Sequence, residues 1–477
     1  MTDLEKTEST TGNITRFVSL MILVLFLCSG MTGLLYQVIW SRMIVKVIGA
    51  APFAISIVLT VFMGGLGLGS YLAGRYIDQI KKSSQLLQLY GLMEIGIGIY
   101  AFVLKGMIAA SQPLFSSIYN HSSEHLLIFN AVILLGAFVL FIVPVTLMGA
   151  TLPILIRFYV ANLGHLGARV GRLYAINTIG AAVGSILSGF LLIKLWGVDG
   201  TLRFAVVINF LIGGISFVLA SWVAKRSALD EQAVDKHDVQ APLPSTGIQY
   251  SRSHQLAVLA IFAVSGYAAM AYEVIWTRLL GLIIGPTTYS FTIVLTTFIV
   301  GLALGSMFFG WLADRSKHPF RLLLVTQLCA AILALAVSQF LGNSQFFFAK
   351  LIFSFRDDFV TLSIAKAALL FLLLLGPTLA LGATFPLVGK IYTSSIHKLG
   401  KSIGFAYAIN TIGALLGSFS AGFILIPLLG KENSLSVVIG AQLLTILIVV
   451  GILKPKSDKL RNKALVLMSV LGLVLTL

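Results

Sequence analysis

Two carboxylic acids stand where a carboxylate is costly. Of the 17 acidic residues in the 477-residue chain, only Glu94 and Glu273 fall inside long apolar runs. An unpaired carboxylate in hydrocarbon costs roughly 2.5–3.5 kcal/mol even on insertion scales, so each is a candidate for holding a cation or carrying a proton. Glu94, about 12 Å into its run at 1.5 Å per residue, is expected in the binding or proton-carrying role, with Glu273 at an outer entrance. Protonated, hydrogen-bonded packing is the other reading of Glu94. For Glu273 it is solvation from outside or pairing with Arg278. Gln37 stands opposite Glu273 in an internal repeat described below. Tyr36, Tyr272 and Trp276, with Trp40, offer aromatic faces to a cation or form an interfacial belt.

Other chemistry is poorly served. All seven histidines lie outside the apolar runs, so no Ser, His and Asp arrangement can be read. Cys28 and Cys329 sit inside apolar runs without CxxC or metal spacing. The glycines at 64, 65, 67 and 69 imitate a nucleotide loop, but no strand precedes them, and close helix packing explains them better. No metal, cofactor or catalytic group is expected, and the chain does not read as an enzyme.

The elements that position these residues are membrane helices. With 58% hydrophobic and 10% charged residues, the chain reads as an all-α polytopic membrane protein. A span takes about 20 apolar residues, and twelve runs qualify: 17–40, 52–74, 86–110, 127–156, 171–195, 203–224, 255–277, 286–312, 320–341, 363–389, 403–428 and 433–453. The divisions that follow are a tail (1–16), a six-helix half (17–224), a polar linker (225–254), a second half (255–454) and a basic tail (455–477). That tail ends in a short apolar run, read as an interfacial helix or a cut chain.

If the amino terminus is cytoplasmic, 23 of the 33 Lys and Arg residues fall on the inside, as the positive-inside rule asks. Both termini and the linker are then cytoplasmic in a multi-pass protein of the cell (inner) membrane. The net charge of +16 is loop charge near anionic lipid, not a nucleic-acid surface.

The halves are copies. Tyr174 to Ala181 (YAINTIGA) returns letter for letter as Tyr407 to Ala414, an offset of 233. Helices 1 and 2 map onto 7 and 8 at an offset of 236, placing Tyr36 on Tyr272, Trp40 on Trp276 and Asp78 on Asp314. Six intervening helices make these parallel repeats, the arrangement of the major facilitator superfamily. The loops Gly74–Lys81 and Gly310–Lys317 resemble that superfamily's G-x-L-A-D-R-x-G-R-R loop. Arg75, Asp78, Asp314 and Arg315 are therefore expected in cytoplasmic gates. Pro144 and Pro153 in helix 4, and Pro377 and Pro386 in helix 10, should break those helices, at a hinge or a substrate site. Asn177, Gly180 and Gly184, with Asn410, Gly413 and Gly417, share a small-residue face expected to be the seam on which the halves rock.

Tyr272 to Arg278 (YEVIWTR), Gly301 to Ser306 (GLALGS), Gly382 to Pro386 (GATFP) and Tyr407 to Gly413 together resemble bacterial proteins that fuse a major-facilitator membrane region to a spermidine-synthase-like domain. The resemblance implies polyamine metabolism and an aminopropyltransferase-like domain, which does not occur before Leu477. The expectation is an alternating-access transporter of a small organic solute, a polyamine or other cation. The alternative is a non-transporting scaffold for such an enzyme domain or a partner subunit on the cytoplasmic side.

Overall fold

The computed structural model describes residues 3–48, 51–122, 126–160, 165–233, 250–284, 288–356, 358–453 and 459–476. Among these residues there is no strand. The helices are α1 (Asp3–Ile48), α2 (Ala51–Tyr76), α3 (Ser83–Ser122), α4 (Leu126–Tyr159), α5 (Leu166–Ile186), α6 (Ile193–Ala233), α7 (Arg252–Ile284), α8 (Thr288–Arg315), α9 (Pro319–Asn343), α10 (Gln345–Ser354), α11 (Phe359–Gly382), α12 (Thr384–Tyr392), α13 (Leu399–Ser420), α14 (Ile426–Leu453) and α15 (Lys459–Thr476).

Among the described residues, ten stretches are long and apolar enough to cross a membrane. Two of them, Leu166–Arg226 and Ile396–Leu453, run to 61 and 58 residues, about 90 Å if straight. Each is two passes, because Gly197 (φ 66°) and Gly430 (φ 77°) adopt a conformation that only glycine takes easily and turn the chain back. Twelve passes result. Helix α1 begins at Asp3, α6 continues to Ala233, and α15 packs on α14 and α9, so regular structure reaches into both predicted tails and the linker. Positions 234–249 lie outside the described residues.

The prolines act differently in the two copies. Helix α4 runs unbroken through Pro144 and Pro153, whereas its counterpart is interrupted at Ala383 between α11 and α12. The expected break occurs in one half only. Pro386 falls in the first turn of α12, where a helix has no use for its N–H. Pro377 is carried inside α11. Thr384 donates its hydroxyl to Leu381 O at 2.7 Å, and Thr151 donates to Met148 O at 2.7 Å.

Within each half α5 packs on α1 and α13 on α7; between halves α5 runs along α8 and α13 along α2. The small-residue face singled out above turns out to serve the first kind of contact. A Cβ at Gly180 would strike the Leu27 carbonyl, and at Gly413 the Ala263 carbonyl. Gly184 and Gly417 abut Met31 and Tyr267 in the same way. Asn177 and Asn410 donate to Phe26 O (3.1 Å) and Phe262 O (2.9 Å). This face fastens α5 to α1 and α13 to α7 rather than forming the seam, since a helix has a second small-residue face and the octapeptide does not say which one crosses.

The seam uses Gly171 and Gly404. Ser306 donates to Gly171 O at 3.3 Å, and its repeat partner Ser70 donates to Gly404 O at 3.2 Å. Just beyond, at the end predicted to be cytoplasmic, each half caps a helix of the other. Asp314 accepts from the backbone N–H of Gly167 (3.0 Å) and Ala168 (2.7 Å), the first turn of α5. Asp78 accepts from Gly400 (2.9 Å) and Lys401 (2.8 Å), the first turn of α13. Neither helix has a side-chain cap of its own, so the opposite half supplies the carboxylate that its orphan N–H groups and dipole favour. The basic partners differ from those expected. Lys390 approaches Asp314 at 3.1 Å and Arg157 approaches Asp78 at 3.5 Å. Arg75 is exposed, and Arg315 lies over the Trp311 ring at 4.0 Å.

An N-cap is worth about 0.5–2 kcal/mol. In a chain with Cys28 and Cys329 replaced by Ala, the double variant Asp78→Ala and Asp314→Ala is expected to speed labelling of a cysteine at Thr178 from that face by roughly tenfold. An unchanged rate would mean that the caps do not hold the seam shut. Gly413→Leu, by contrast, should lower Tm by forcing α13 off α7 at a cost of about 1–3 kcal/mol.

Candidate functional site

The pairing of α5 with α1 and of α13 with α7 turns the other face of the octapeptide helices toward the centre. There a cavity of about 200 Å³ lies between the halves. It is lined from α1, α2, α5, α7, α8, α11, α12 and α13, so the interrupted helix contributes and the unbroken α4 does not. Prolines matter to the site only through that interruption, which presents Gly382 and Thr384 to the cavity.

Glu273 is the one acidic or basic side chain among the described residues of this lining. It is 6% exposed and makes no hydrogen bond or ion pair to a described residue, Arg278 included. Gln37, its repeat counterpart, lines the same cavity. At the opposite end, toward the predicted cytoplasmic side, Phe385 packs with Tyr174 (ring centroids 5.0 Å apart) and Tyr407 (5.5 Å), forming an aromatic floor. Between these poles sit Asn177, Thr178, Asn410 and Thr411. Sequence reasoning gave the two asparagines to packing. They pack and also line the cavity, because anchoring one amide N–H on a neighbouring helix leaves the oxygen free.

Glu94 is not in the cavity. It is 0% exposed, accepting from Ser29 Oγ (2.6 Å) and from Asn209 Nδ2 (2.6 Å), while Tyr36 donates to Asn209 Oδ1 at 2.9 Å. The second half contains the same net. Tyr272 donates to Gln442 Oε1 (3.0 Å), Gln442 Nε2 to Gln327 Oε1 (3.1 Å), and Gln327 Nε2 to Thr384 Oγ1 (2.8 Å). Gln442 stands 233 positions after Asn209 and Gln327 233 after Glu94. The place held by a carboxyl in one half is held by a neutral amide in the other.

Tyr36, Tyr272 and Trp276 accordingly move from the expected binding set into the core. All are 0% exposed, and each tyrosine stacks on its tryptophan, Tyr36 on Trp40 at 5.3 Å and Tyr272 on Trp276 at 5.0 Å. They belong to no interfacial belt. The repeat offset would have exposed the Glu94 and Gln327 equivalence from sequence; which face of α3 meets α1 and α6 is a packing result it does not encode.

The sequence matches the model of the Major Facilitator Superfamily over residues 21–418. Among solved structures, a bacterial homologue of the iron transporter ferroportin in the outward-facing state is 12% identical, with a TM-score of 0.57 over 91% of this chain and 98% of that one. The human organic anion transporter MFSD10 (TETRAN) is 10% identical, with a TM-score of 0.55 over 91% and 99%. At these identities the likeness is one of fold. No curated protein matches the sequence. The duplicated six-helix halves, the crossing of α5 on α8 and α13 on α2, and a family model spanning most of the chain agree: the chain belongs to the major facilitator superfamily.

Proposed function

We propose that this chain is an alternating-access carrier of a small organic solute and that the solute is a cation. The observation that carries this is Glu273, an unpaired carboxylate buried at one pole of a cavity between two halves. A charge so placed is retained against its desolvation cost when a ligand or ion completes it. Two polar latches at one end of the seam supply the kind of contact that breaks and reforms as halves rock.

The resemblance to synthase-fused proteins adds a polyamine as a candidate solute, and an aminopropyltransferase-like domain or subunit as a candidate partner, on motifs alone. Metal cargo of the kind named for the ferroportin homologue is poorly supported. Among the described residues no three His, Cys, Asp or Glu side chains are grouped to hold an ion.

The two buried carboxylates predict opposite results in proteoliposomes loaded with a mixture of labelled organic amines. Glu273→Gln should reduce uptake at least roughly 30-fold, the equivalent of about 2 kcal/mol for truncating a buried charge pair. Glu94→Gln should transport like wild type, because its amide reproduces Gln327 and the Ser29 hydroxyl can turn to accept. Its stability should change by no more than one hydrogen bond, about 0.5–1.5 kcal/mol. Equal uptake by Glu273→Gln and wild type would remove the cation reading, and absence of uptake by wild type would favour the scaffold.

A further inference from the structure

We infer that the cavity selects a ligand with a single positive charge at one end and a neutral hydrogen-bonding group at the other. This rests on the cation reading and adds to it. The lining has a direction. Phe262, Ser265, Gly266, Ala269 and Glu273 share one face of α7 at three- and four-residue spacing. Glu273 lies seven residues beyond Gly266, about 10 Å along the helix. Gly266 is where α7 meets Asn410, whose Nδ2 a Cβ there would meet at 2.6 Å; Gly30 meets Asn177 equivalently, at 2.9 Å. The charged pole and the asparagine layer are therefore separated by about 10 Å.

That layer is polar and uncharged. Asn177 and Asn410 each give one amide N–H to Phe26 O and Phe262 O, which leaves each a second N–H and its Oδ1. The Thr178 and Thr411 hydroxyls donate to Tyr174 O (2.6 Å) and Tyr407 O (2.9 Å), so toward the cavity they accept. With the phenol groups of Tyr174 and Tyr407 in the same lining, a ligand group reaching this depth meets both donors and acceptors, which a hydroxyl satisfies together. Such a group must also be neutral, because the described residues of the lining hold no second carboxylate to balance an ammonium and no cation to balance a carboxylate. The volume of about 200 Å³ lies below the roughly 300–1,000 Å³ of sites for drug-sized molecules, which suits a short chain. A diamine or longer polyamine would leave its second charge among uncharged groups.

A series of equal length isolates each term: 6-amino-1-hexanol, hexylamine, 1,6-diaminohexane and 6-aminohexanoate, titrated calorimetrically into the full chain in lipid nanodiscs. The expected order is 6-amino-1-hexanol first, hexylamine roughly tenfold weaker, and the two doubly charged compounds weaker still. Thr411→Val should shrink the advantage of the hydroxyl compound over hexylamine, and hexylamine binding reports that the variant is folded. Diaminohexane binding as tightly as aminohexanol would overturn the single-charge inference while leaving the cation reading intact. Hexylamine matching aminohexanol would overturn the polar-end inference alone. If no amine binds, or if Glu273→Gln binds them all unchanged, both readings fall together.

Discussion

Inside a bilayer a polar group has no water to fall back on, so which buried groups of this protein find a partner and which do not is informative. That constraint explains why the two buried carboxyls have different meanings. In the first half the net of Ser29, Glu94, Asn209 and Tyr36 is closed. The second half closes the same net with Gln327 and Gln442. Since an amide does the job in one copy, polarity and shape are what the position requires. Across the cavity the exchange runs the other way, with Gln37 in the first half and Glu273 in the second. There the carboxylate has no net around it, so its charge is not a packing requirement.

The same accounting governs the contact between halves. Crossings at Gly171 and Gly404 let backbones approach closely enough for Ser306 and Ser70 to donate to the facing carbonyls. The two crossings are not equivalent farther out. Thr60 and Ser418 share a hydrogen bond at 3.0 Å between α2 and α13. Their repeat counterparts Thr296 and Ser185, on α8 and α5, have buried hydroxyls without partners. The α5 and α8 crossing is therefore the less well satisfied of the two at that level, and a pseudo-symmetric molecule is given an asymmetric seam.

How much of this was legible in the sequence depended on whether the property was linear or spatial. The duplication, the twelve passes and the two carboxyls are properties of the string, and so are Asp78 and Asp314 as matched loop acids. What a string does not state is which face of a helix meets which neighbour. Asn177 and Gly180 were on a recognisable small-residue stripe, but α5 has two such stripes, and the wrong one was given to the seam. Glu94 was placed at the cavity because its depth is readable while its azimuth is not. The latch cations went to Arg75 and Arg315, adjacent in sequence, whereas Arg157 and Lys390 arrive from the last turns of α4 and α12. These too are 233 positions apart, so the repeat held the signal, and sequence adjacency hid it.

Closing and opening must be commensurate for a carrier to run. Two latches, each an N-cap of about 0.5–2 kcal/mol with a partly exposed ion pair of up to about 1 kcal/mol, set an opening cost of a few kcal/mol. A ligand shifts such an equilibrium only by its differential affinity for the two states. One completed charge pair at Glu273, worth about 2–5 kcal/mol when desolvated, is of that size. A second buried charge pair would exceed it and hold the solute in place, and a neutral cavity would fall short. On the cation reading, the single carboxylate is thus matched in magnitude to the latches it would work against.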